Sequence, residues 1–251
     1  MLSIIMESEN SRLYYEDSYL FETETIISDI DSTNGFLLKF EKTIFHPQGG
    51  GQPADEGLIL FENKEFQILQ IITDKNSDEI WHEINPQTTQ FRINDKILMK
   101  INPEKRVHYA RLHSAGHLID ICISNLNIGL NAVKGYHFPE GPYVEYTGQI
   151  PSNLDNLKEN VEKYCEEKIN GTDEKWNVKS GIYTYEEAIQ LFKVPSYVLK
   201  DKSTRFLRLI EDDYGRPCGG THVKHVKEIG KLLISKIAKK GKNLRVSYLV
   251  K

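Results

Sequence analysis

The sequence is poor in cysteine and has no long hydrophobic run. Its 251 residues include three cysteines, a number too small and too odd for a disulfide framework, so a reducing compartment is expected. No apolar stretch approaches the roughly 20 residues that a membrane-spanning helix requires. The first residues also lack the layout of a secretory signal peptide. We therefore expect a cytoplasmic protein with no membrane partner.

The chain has little positive charge in its first part and an excess of it later. Residues 1–100 contain 18 acidic and 8 basic residues, whereas residues 101–251 contain 18 and 24. Between residues 224 and 251, nine basic residues accompany a single acid, Glu228. A basic segment of this kind can contact phosphates whatever the net charge of −4. A solvated, lysine-rich surface gives the same pattern.

The first part of the chain, residues 1–98, is predicted to form a small N-terminal β-barrel domain. Short apolar runs are separated by turn-forming residues, and several short strands at this spacing are typical of a barrel. The predicted strands lie at 25–30, 35–40, 57–61 and 66–72.

The remainder, residues 99–251, is predicted to form a second domain, which makes the whole chain α+β. Asn102 and Pro103 are typical of a helix N-cap and first helical position, while Thr184 and Glu187 form a capping box. Helices packed on a mainly antiparallel sheet give a domain of this class. Helices are predicted at 103–125, at 152–170 and from 184, and strands at 133–138, 142–147, 204–210, 230–238 and 243–250.

Two short motifs place histidine and cysteine at the spacing of metal ligands. His113 and His117 are four residues apart on the first predicted helix and therefore share a face. Cys218 and His222 flank a Gly-Gly pair that permits a sharp bend. Either motif alone is more often an ordinary helix pair or an isolated cysteine. Together they offer the two-plus-two nitrogen and sulfur ligands of a tetrahedral zinc site, so we predict one Zn²⁺ per chain.

The residue after His113 is Ser114, not glutamate. The helix therefore lacks the general base of the His-Glu-x-x-His metalloproteases, and this class of enzyme is disfavoured.

These motifs resemble those of a known family. His113-Ser-Ala-Gly-His117 and Cys218-Gly-Gly-Thr-His222 are similar to the paired zinc motifs of the alanyl-tRNA synthetase editing domain and of its freestanding relatives, the AlaX trans-editing proteins. The segment from Phe45 to Gly57 looks like the glycine-rich signature of the medium-length AlaX form. Residues 228–245 also follow the family. Arg216 and Pro217, which precede the cysteine, depart from its usual acidic or apolar residues.

The resemblance implies a small β-barrel followed by a two-layer α/β editing domain. It implies that His113, His117, Cys218 and His222 hold zinc and form the catalytic centre. The implied activity is hydrolysis of the ester in mischarged tRNA(Ala), chiefly Ser-tRNA(Ala), with Gly-tRNA(Ala) as a further candidate. The implied partner is the acceptor end of that tRNA.

Substrate contacts are expected from two groups of residues. A site that hydrogen-bonds the serine hydroxyl could reject alanine, because alanine would leave buried polar groups unpaired. Ser114, His137 and Thr221 are candidates for this contact, and hydrogen bonds that support the fold are the alternative for each. The glycine-rich segment offers close backbone approach and an amide side chain; its candidates are Gly49, Gly50, Gly51 and Gln52.

Two other functions remain open from the sequence. One is the related editing of Ser-tRNA(Thr) in the threonyl system. The other is a non-catalytic tRNA-binding module whose zinc is structural, because four protein ligands close a tetrahedron. Catalysis with this set requires an additional coordination position or a ligand that moves away.

Overall fold

The computed structural model describes residues 11–33, 36–85, 91–171, 177–211 and 213–251. These residues cluster into two compact units. The first contains the described residues up to Gly49 together with Pro53–Arg106, and the second contains Gly50–Gln52 and Val107–Lys251. The predicted boundary between residues 98 and 99 stays a prediction, which limited proteolysis tests. None of the described helices combines the length and the apolar character that a bilayer crossing requires.

The first unit is built from eight described strands. They are β1 (Ser11–Arg12), β2 (Glu22–Asp31), β3 (Leu37–Phe40), β4 (Lys42–Thr43), β5 (Gly57–Phe61), β6 (Lys64–Thr73), β7 (Ile80–Ile84) and β8 (Lys96–Ile101). Six of them close an antiparallel barrel in the order β2-β3-β7-β6-β5-β8, and β1 and β4 form a short parallel pair. Ile27, Leu38, Ile59 and Met99 are among the fully buried residues inside. The predicted barrel is confirmed.

Four predicted strands overlap β2, β3, β5 and β6, whereas β7 and β8 were not predicted. The predicted strand at 35–40 begins at Gly35, which lies outside the described residues. Pairing with β8 on both sides, by β2 and β5, completes the barrel. Closure removes the exposed edge that an open sheet of these strands would have.

A buried ion pair holds the two ends of the glycine-rich segment, at His46 and Asp55, within the first unit. Asp55 forms an ion pair with Arg106, and neither side chain is exposed. The same guanidinium donates to the carbonyl of Ser18 at 2.9 Å, and Asp55 accepts from the backbone N–H of His46 at 2.5 Å. Because removing one partner would leave a buried charge unpaired, this network fixes the backbone at positions 46 and 55.

The second unit contains the larger helices and two sheets. Its helices are α1 (Pro103–Asn125, whose first turn lies in the first unit), α2 (Leu154–Asn170) and α3 (Tyr185–Leu191). Its strands are β9 (Leu130–Tyr136), β10 (Tyr143–Gly148), β11 (Lys179–Tyr183), β12 (Thr204–Arg208), β13 (Arg216–Pro217), β14 (Leu232–Lys240) and β15 (Asn243–Val250). An antiparallel sheet has the order β14-β15-β10-β9, and a smaller one the order β11-β12-β13. The predicted α+β class is confirmed.

Helix periodicity and strand alternation account for the core of the second unit. Helix α2 buries Leu157, Val161, Cys165 and Ile169, which recur every four residues on one face. Strand β15 buries alternate residues, as a half-covered sheet requires. These faces pack with α1 in one hydrophobic core. The opposite face of the four-stranded sheet is therefore left outside this core.

Candidate metal centre

Four side chains of the second unit converge at one point. Helix α1 supplies His113 and His117, and the loop after β13 supplies Cys218 and His222. One ligand atom from each lies within 4.8 Å of the ligand atoms of the others. These four residues can therefore hold a metal ion.

The spacing of the ligand atoms suits a tetrahedral ion. Ligands at zinc–nitrogen and zinc–sulfur bond lengths are about 3.3 to 3.6 Å apart in a tetrahedron. Sγ of Cys218 lies 3.5 Å from Nε2 of His113 and 3.2 Å from Nε2 of His222. Shifts of a few tenths of an ångström are enough to place an ion between them.

The third histidine, His117, has a buried ring nitrogen without a hydrogen-bond partner. Its Nε2 is inaccessible to solvent and pairs with no other described atom. An unpaired buried nitrogen costs free energy, so its presence beside three other ligand atoms fits a site built for a cation. Burial lowers the pKa of His117 well below 6.5, which keeps a lone pair available for coordination.

The thiol of Cys218 needs a nearby positive charge to ionise. Burial raises its pKa above the ordinary value, against smaller opposing effects of the Gly220 N–H and the Arg205 charge. A thiolate is the form of cysteine that binds metals. A cation held by the three imidazoles would supply the missing stabilisation.

Gln52 fixes the orientation of His113. Its Oε1 lies 2.8 Å from Nδ1 of His113 and accepts the backbone N–H of Thr221 at 2.9 Å. Its Nε2 donates to the Thr221 hydroxyl at 2.9 Å. Since an atom that accepts a backbone N–H must be the amide oxygen, Nδ1 of His113 carries the proton. Nε2 is thereby left as the ligand atom.

Ser114 contacts Nδ1 of His222, as Gln52 contacts Nδ1 of His113. Its hydroxyl lies 3.2 Å from Nδ1 of His222 and accepts the backbone N–H of Val223, also at 3.2 Å. The hydroxyl therefore occupies the Nδ1 side of that ring, and Nε2 faces Cys218. Ser114 is fully buried, so the serine that replaces the glutamate of metalloprotease motifs orients a ligand.

His137 packs against the cluster from the sheet side. Its ring stacks on His113 with centroids 4.4 Å apart, and its Nδ1 lies 2.6 Å from the hydroxyl of Tyr248. That hydroxyl donates to the carbonyl of Leu112, so it accepts from Nδ1. A Cβ at Gly116 would lie 2.3 Å from the His137 ring, which explains the glycine in the helical motif. Burial lowers the pKa of His137 to about 4, so the ring is neutral.

The loop that carries Cys218 and His222 is held by Arg205. This buried side chain donates to the carbonyls of Cys218 at 3.0 Å and Gly220 at 2.8 Å. A Cβ at Gly220 would lie 2.2 Å from the ring of His113, so the second glycine is required by close approach. The predicted bend is therefore stabilised by a residue that sequence spacing did not single out.

Arg216, one of the two residues that differ from the usual family pattern, connects the loop that carries Cys218 to helix α1. Its Nε donates to Asp120 at 2.6 Å, and its guanidinium also pairs with Asp213. Asp120 lies three residues after His117, and Arg216 lies two residues before Cys218. The two ion pairs thus connect the segments that carry the two metal motifs.

The remaining predicted site residues have different surroundings. Gly50 and Gly51 cluster with the second unit, whereas Gly49 clusters with the first. A Cβ at Gly50 would lie 3.9 Å from the His113 ring, and the carbonyl of Gly51 accepts the backbone N–H of His137 at 2.7 Å. Thr221 is fully buried beside Gln52. Sequence reasoning missed Arg205 and Tyr248, since nothing in their local pattern indicates these partners.

Comparison with known proteins confirms the resemblance to AlaX-type editing proteins. The profile described as "Threonyl and Alanyl tRNA synthetase second additional domain" matches residues 205–245. An alanyl-tRNA editing protein AlaX-M of Pyrococcus horikoshii is 28% identical over 228 residues, which cover 87% of each chain. Another AlaX-M, of Saccharolobus solfataricus, is 28% identical over 95% of this chain and 98% of its own. An alanine–tRNA ligase of Mycoplasma mycoides is 26% identical over 94% of this chain, which spans only 26% of that enzyme.

Proposed function

We propose that this chain is a zinc-dependent trans-editing hydrolase that deacylates mischarged tRNA(Ala). Its main substrate is Ser-tRNA(Ala), and Gly-tRNA(Ala) is a second one. The observation that carries this proposal is the clustered set His113, His117, Cys218 and His222, with a buried, unpaired nitrogen on His117. Similarity to the AlaX-M proteins over nearly the whole chain supports it.

Zinc fits the donor set better than calcium or magnesium, because three imidazoles and a thiol are nitrogen and sulfur ligands. When bound, it would supply a Lewis acid for the ester carbonyl or for the attacking water.

The residues around the ligands prepare this chemistry. Gln52 and Ser114 set the orientation of His113 and His222, and Arg205 holds the backbone that carries Cys218. The four ligands and the residues beside them are largely buried. Such a site strengthens electrostatic stabilisation of the oxyanion that forms during ester hydrolysis.

Selection of serine over alanine requires a polar contact that alanine cannot make. Thr221, Ser114 and His137 remain the proposed candidates, because all three are buried within the hydrogen-bond network around the ligands. Gly49, Gly50 and Gly51 are the proposed backbone contacts, and Gln52 is the proposed amide contact. Each of the three already has a partner in this network, since Ser114 contacts His222, Thr221 accepts from Gln52 and His137 donates to Tyr248, so none is ranked above the others.

The experiment is a panel of charged tRNAs incubated with the zinc-loaded protein. We expect rapid loss of serine from Ser-tRNA(Ala), slower loss of glycine from Gly-tRNA(Ala) and no loss of alanine from Ala-tRNA(Ala). Preferential hydrolysis of Ser-tRNA(Thr) would instead assign the threonyl system. Failure on every tRNA by a folded, zinc-loaded protein would contradict the proposed activity.

A non-catalytic module with structural zinc is the second candidate, favoured by the four-ligand count. Substituting His113, His117, Cys218 and His222 one at a time with alanine separates the two. A variant that retains zinc and its fold but loses hydrolysis identifies a catalytic ligand. The structural alternative predicts tRNA binding without turnover, and unfolding whenever zinc is lost.

A further inference from the structure

One face of the four-stranded sheet lies outside the core of the second unit and carries aromatic and basic side chains in register. Tyr136 of β9 pairs with Tyr143 of β10, which pairs with Ser247 of β15, which pairs with Lys236 of β14. The next cross-strand row contains Lys134, Glu145, Arg245 and Ala238. Neighbours of opposite orientation, such as Val144 and Val246, are buried, so both rows face away from the core.

Three planar side chains from these rows and the nearby ring of Phe138 form a continuous stack. The guanidinium of Arg245 lies 3.8 Å from the ring centroid of Tyr143. Tyr143 stacks on Tyr136 at 5.1 Å, and Tyr136 stacks on Phe138 at 4.5 Å, with interplanar angles of 19° and 13°. A stack of this kind presents flat surfaces at its ends to which a nucleobase can add, whatever its identity.

Charge on the same face is predominantly positive. Lys134, Lys236 and Lys240 are exposed, and Lys240 pairs with Asn243 at the end of the hairpin. The acid in these rows, Glu145, accepts two hydrogen bonds from Arg245. The lysines are therefore placed to attract a polyanion, in contrast to the acidic balance of the first hundred residues.

The stack begins next to the candidate metal centre. His137 lies between Tyr136 and Phe138 in the chain, and its buried ring stacks on His113. Consecutive side chains of an extended segment point to opposite sides, so this one segment contributes to both the metal centre and the aromatic stack.

We propose that this sheet face binds the acceptor arm of tRNA. Unpaired bases near the acceptor end stack on the row from Phe138 to Arg245, and phosphates contact Lys134, Lys236 and Lys240. The inference rests on the proposed function for the identity of the RNA, but binding to uncharged tRNA tests it without any turnover.

The first test measures the affinity for uncharged tRNA(Ala) as a function of salt. Lys236→Ala combined with Lys240→Ala should weaken binding and reduce the slope of log K against log salt by about 0.7 to 0.9 for each phosphate contact removed. The control is Lys163→Ala combined with Lys179→Ala, which removes exposed lysines of α2 and β11. Equal slopes in the two double variants would overturn the phosphate assignment.

The second test separates stacking from charge. Arg245→Lys keeps the positive charge but removes the planar guanidinium, and Phe138→Leu removes the aromatic ring at the other end of the stack. Each should weaken tRNA binding about fivefold or more and restore part of the fluorescence of a 2-aminopurine placed among the unpaired acceptor nucleotides. Tyr164→Leu, at a partly exposed tyrosine of α2 outside the sheet, is the control.

A small substrate distinguishes failure of this inference from failure of the proposed function. Seryl-adenosine ester should be hydrolysed at the wild-type rate by the variant with Lys236→Ala and Lys240→Ala, because this ester carries no phosphate and the metal ligands are unchanged. Variants that bind tRNA as tightly as wild type overturn the sheet-face assignment while leaving the activity intact. If the wild-type protein binds tRNA through this face but hydrolyses neither seryl-adenosine ester nor Ser-tRNA(Ala), the assignment of the surface stands and the proposed hydrolase activity is refuted.

Discussion

The amide oxygen of Gln52 accepts a hydrogen bond from Nδ1 of His113 at 2.8 Å. These residues are 61 positions apart, and the contact decides which nitrogen of the ring faces the other ligands. Together with the two bonds between Gln52 and Thr221, it joins the glycine-rich segment to both metal motifs within the second unit.

Gln52→Ala should weaken zinc binding. The variant removes the acceptor that holds His113, and loss of such an outer partner typically costs about 10- to 100-fold in metal affinity. Competition with a chromophoric chelator measures the change. Gln70→Ala, at an exposed position on β6, is the control, and equal affinities of the two variants would contradict this role.

Gly220→Ala should disrupt the metal centre without unfolding the protein. The added Cβ would lie 2.2 Å from His113 and 2.9 Å from the Gln52 amide oxygen, so the ring must move. We expect loss of stoichiometric zinc in the purified variant with an unchanged circular dichroism spectrum. Gly141→Ala adds a Cβ where nothing lies within 4 Å. If Gly220→Ala retains zinc as Gly141→Ala does, the packing argument is wrong.

Arg205→Lys should also lower zinc affinity. Nη1 of Arg205 donates to the carbonyls of Cys218 and Gly220 while Nη2 donates to the Ser180 hydroxyl, and a single lysine ammonium cannot occupy both nitrogen positions. Arg208→Lys, on the same strand, is the matched control because Arg208 donates to the carbonyl of Leu191 instead. Isothermal titration of the apoproteins compares them. An Arg208→Lys effect as large as that of Arg205→Lys would indicate general destabilisation of β12.

The barrel should lose stability in mild acid through His82. This fully buried histidine accepts from Thr43 at 2.9 Å and donates to the carbonyl of Leu38 at 3.3 Å, and burial lowers its pKa to about 3. The unfolded chain binds a proton near pH 6.5 and the folded chain does not. Unfolding free energy therefore falls as pH decreases from about 6.5 towards 3, by up to about 1.4 kcal/mol per pH unit.

His82→Gln keeps one donor and one acceptor but cannot be protonated. Urea unfolding is followed by tryptophan fluorescence, to which the neighbouring Trp81 contributes. Between about pH 7 and pH 5, wild type should lose about 2 kcal/mol more than the variant. Parallel pH profiles would show that His82 is not the cause.

Local signals predicted several elements well. Helix α1 begins at Pro103 as its N-cap Asn102 indicates, and the Asn102 side chain accepts from Lys105. The capping box of Thr184 and Glu187 is also confirmed. In both cases the stabilising contact lies within three residues of the cap, which is the range that a sequence pattern describes.

Other features depend on partners far along the chain. The predicted strand at 133–138 is shifted from the observed Leu130–Tyr136, where four consecutive residues are exposed and apolar alternation is absent. Residue spacing predicted that His113, His117, Cys218 and His222 share a site, but their orientation depends on Gln52 and Ser114. Long-range contacts of this kind leave no periodic signal.

Zinc-dependent deacylation is measured by serine release from Ser-tRNA(Ala), with the protein as purified, after mild chelation, and after zinc add-back. Circular dichroism of the chelated sample establishes whether it remains folded. The expected result is that turnover disappears with the metal and returns with zinc. Undiminished turnover by a folded, metal-free protein would contradict it, as would the absence of turnover by the zinc-loaded protein.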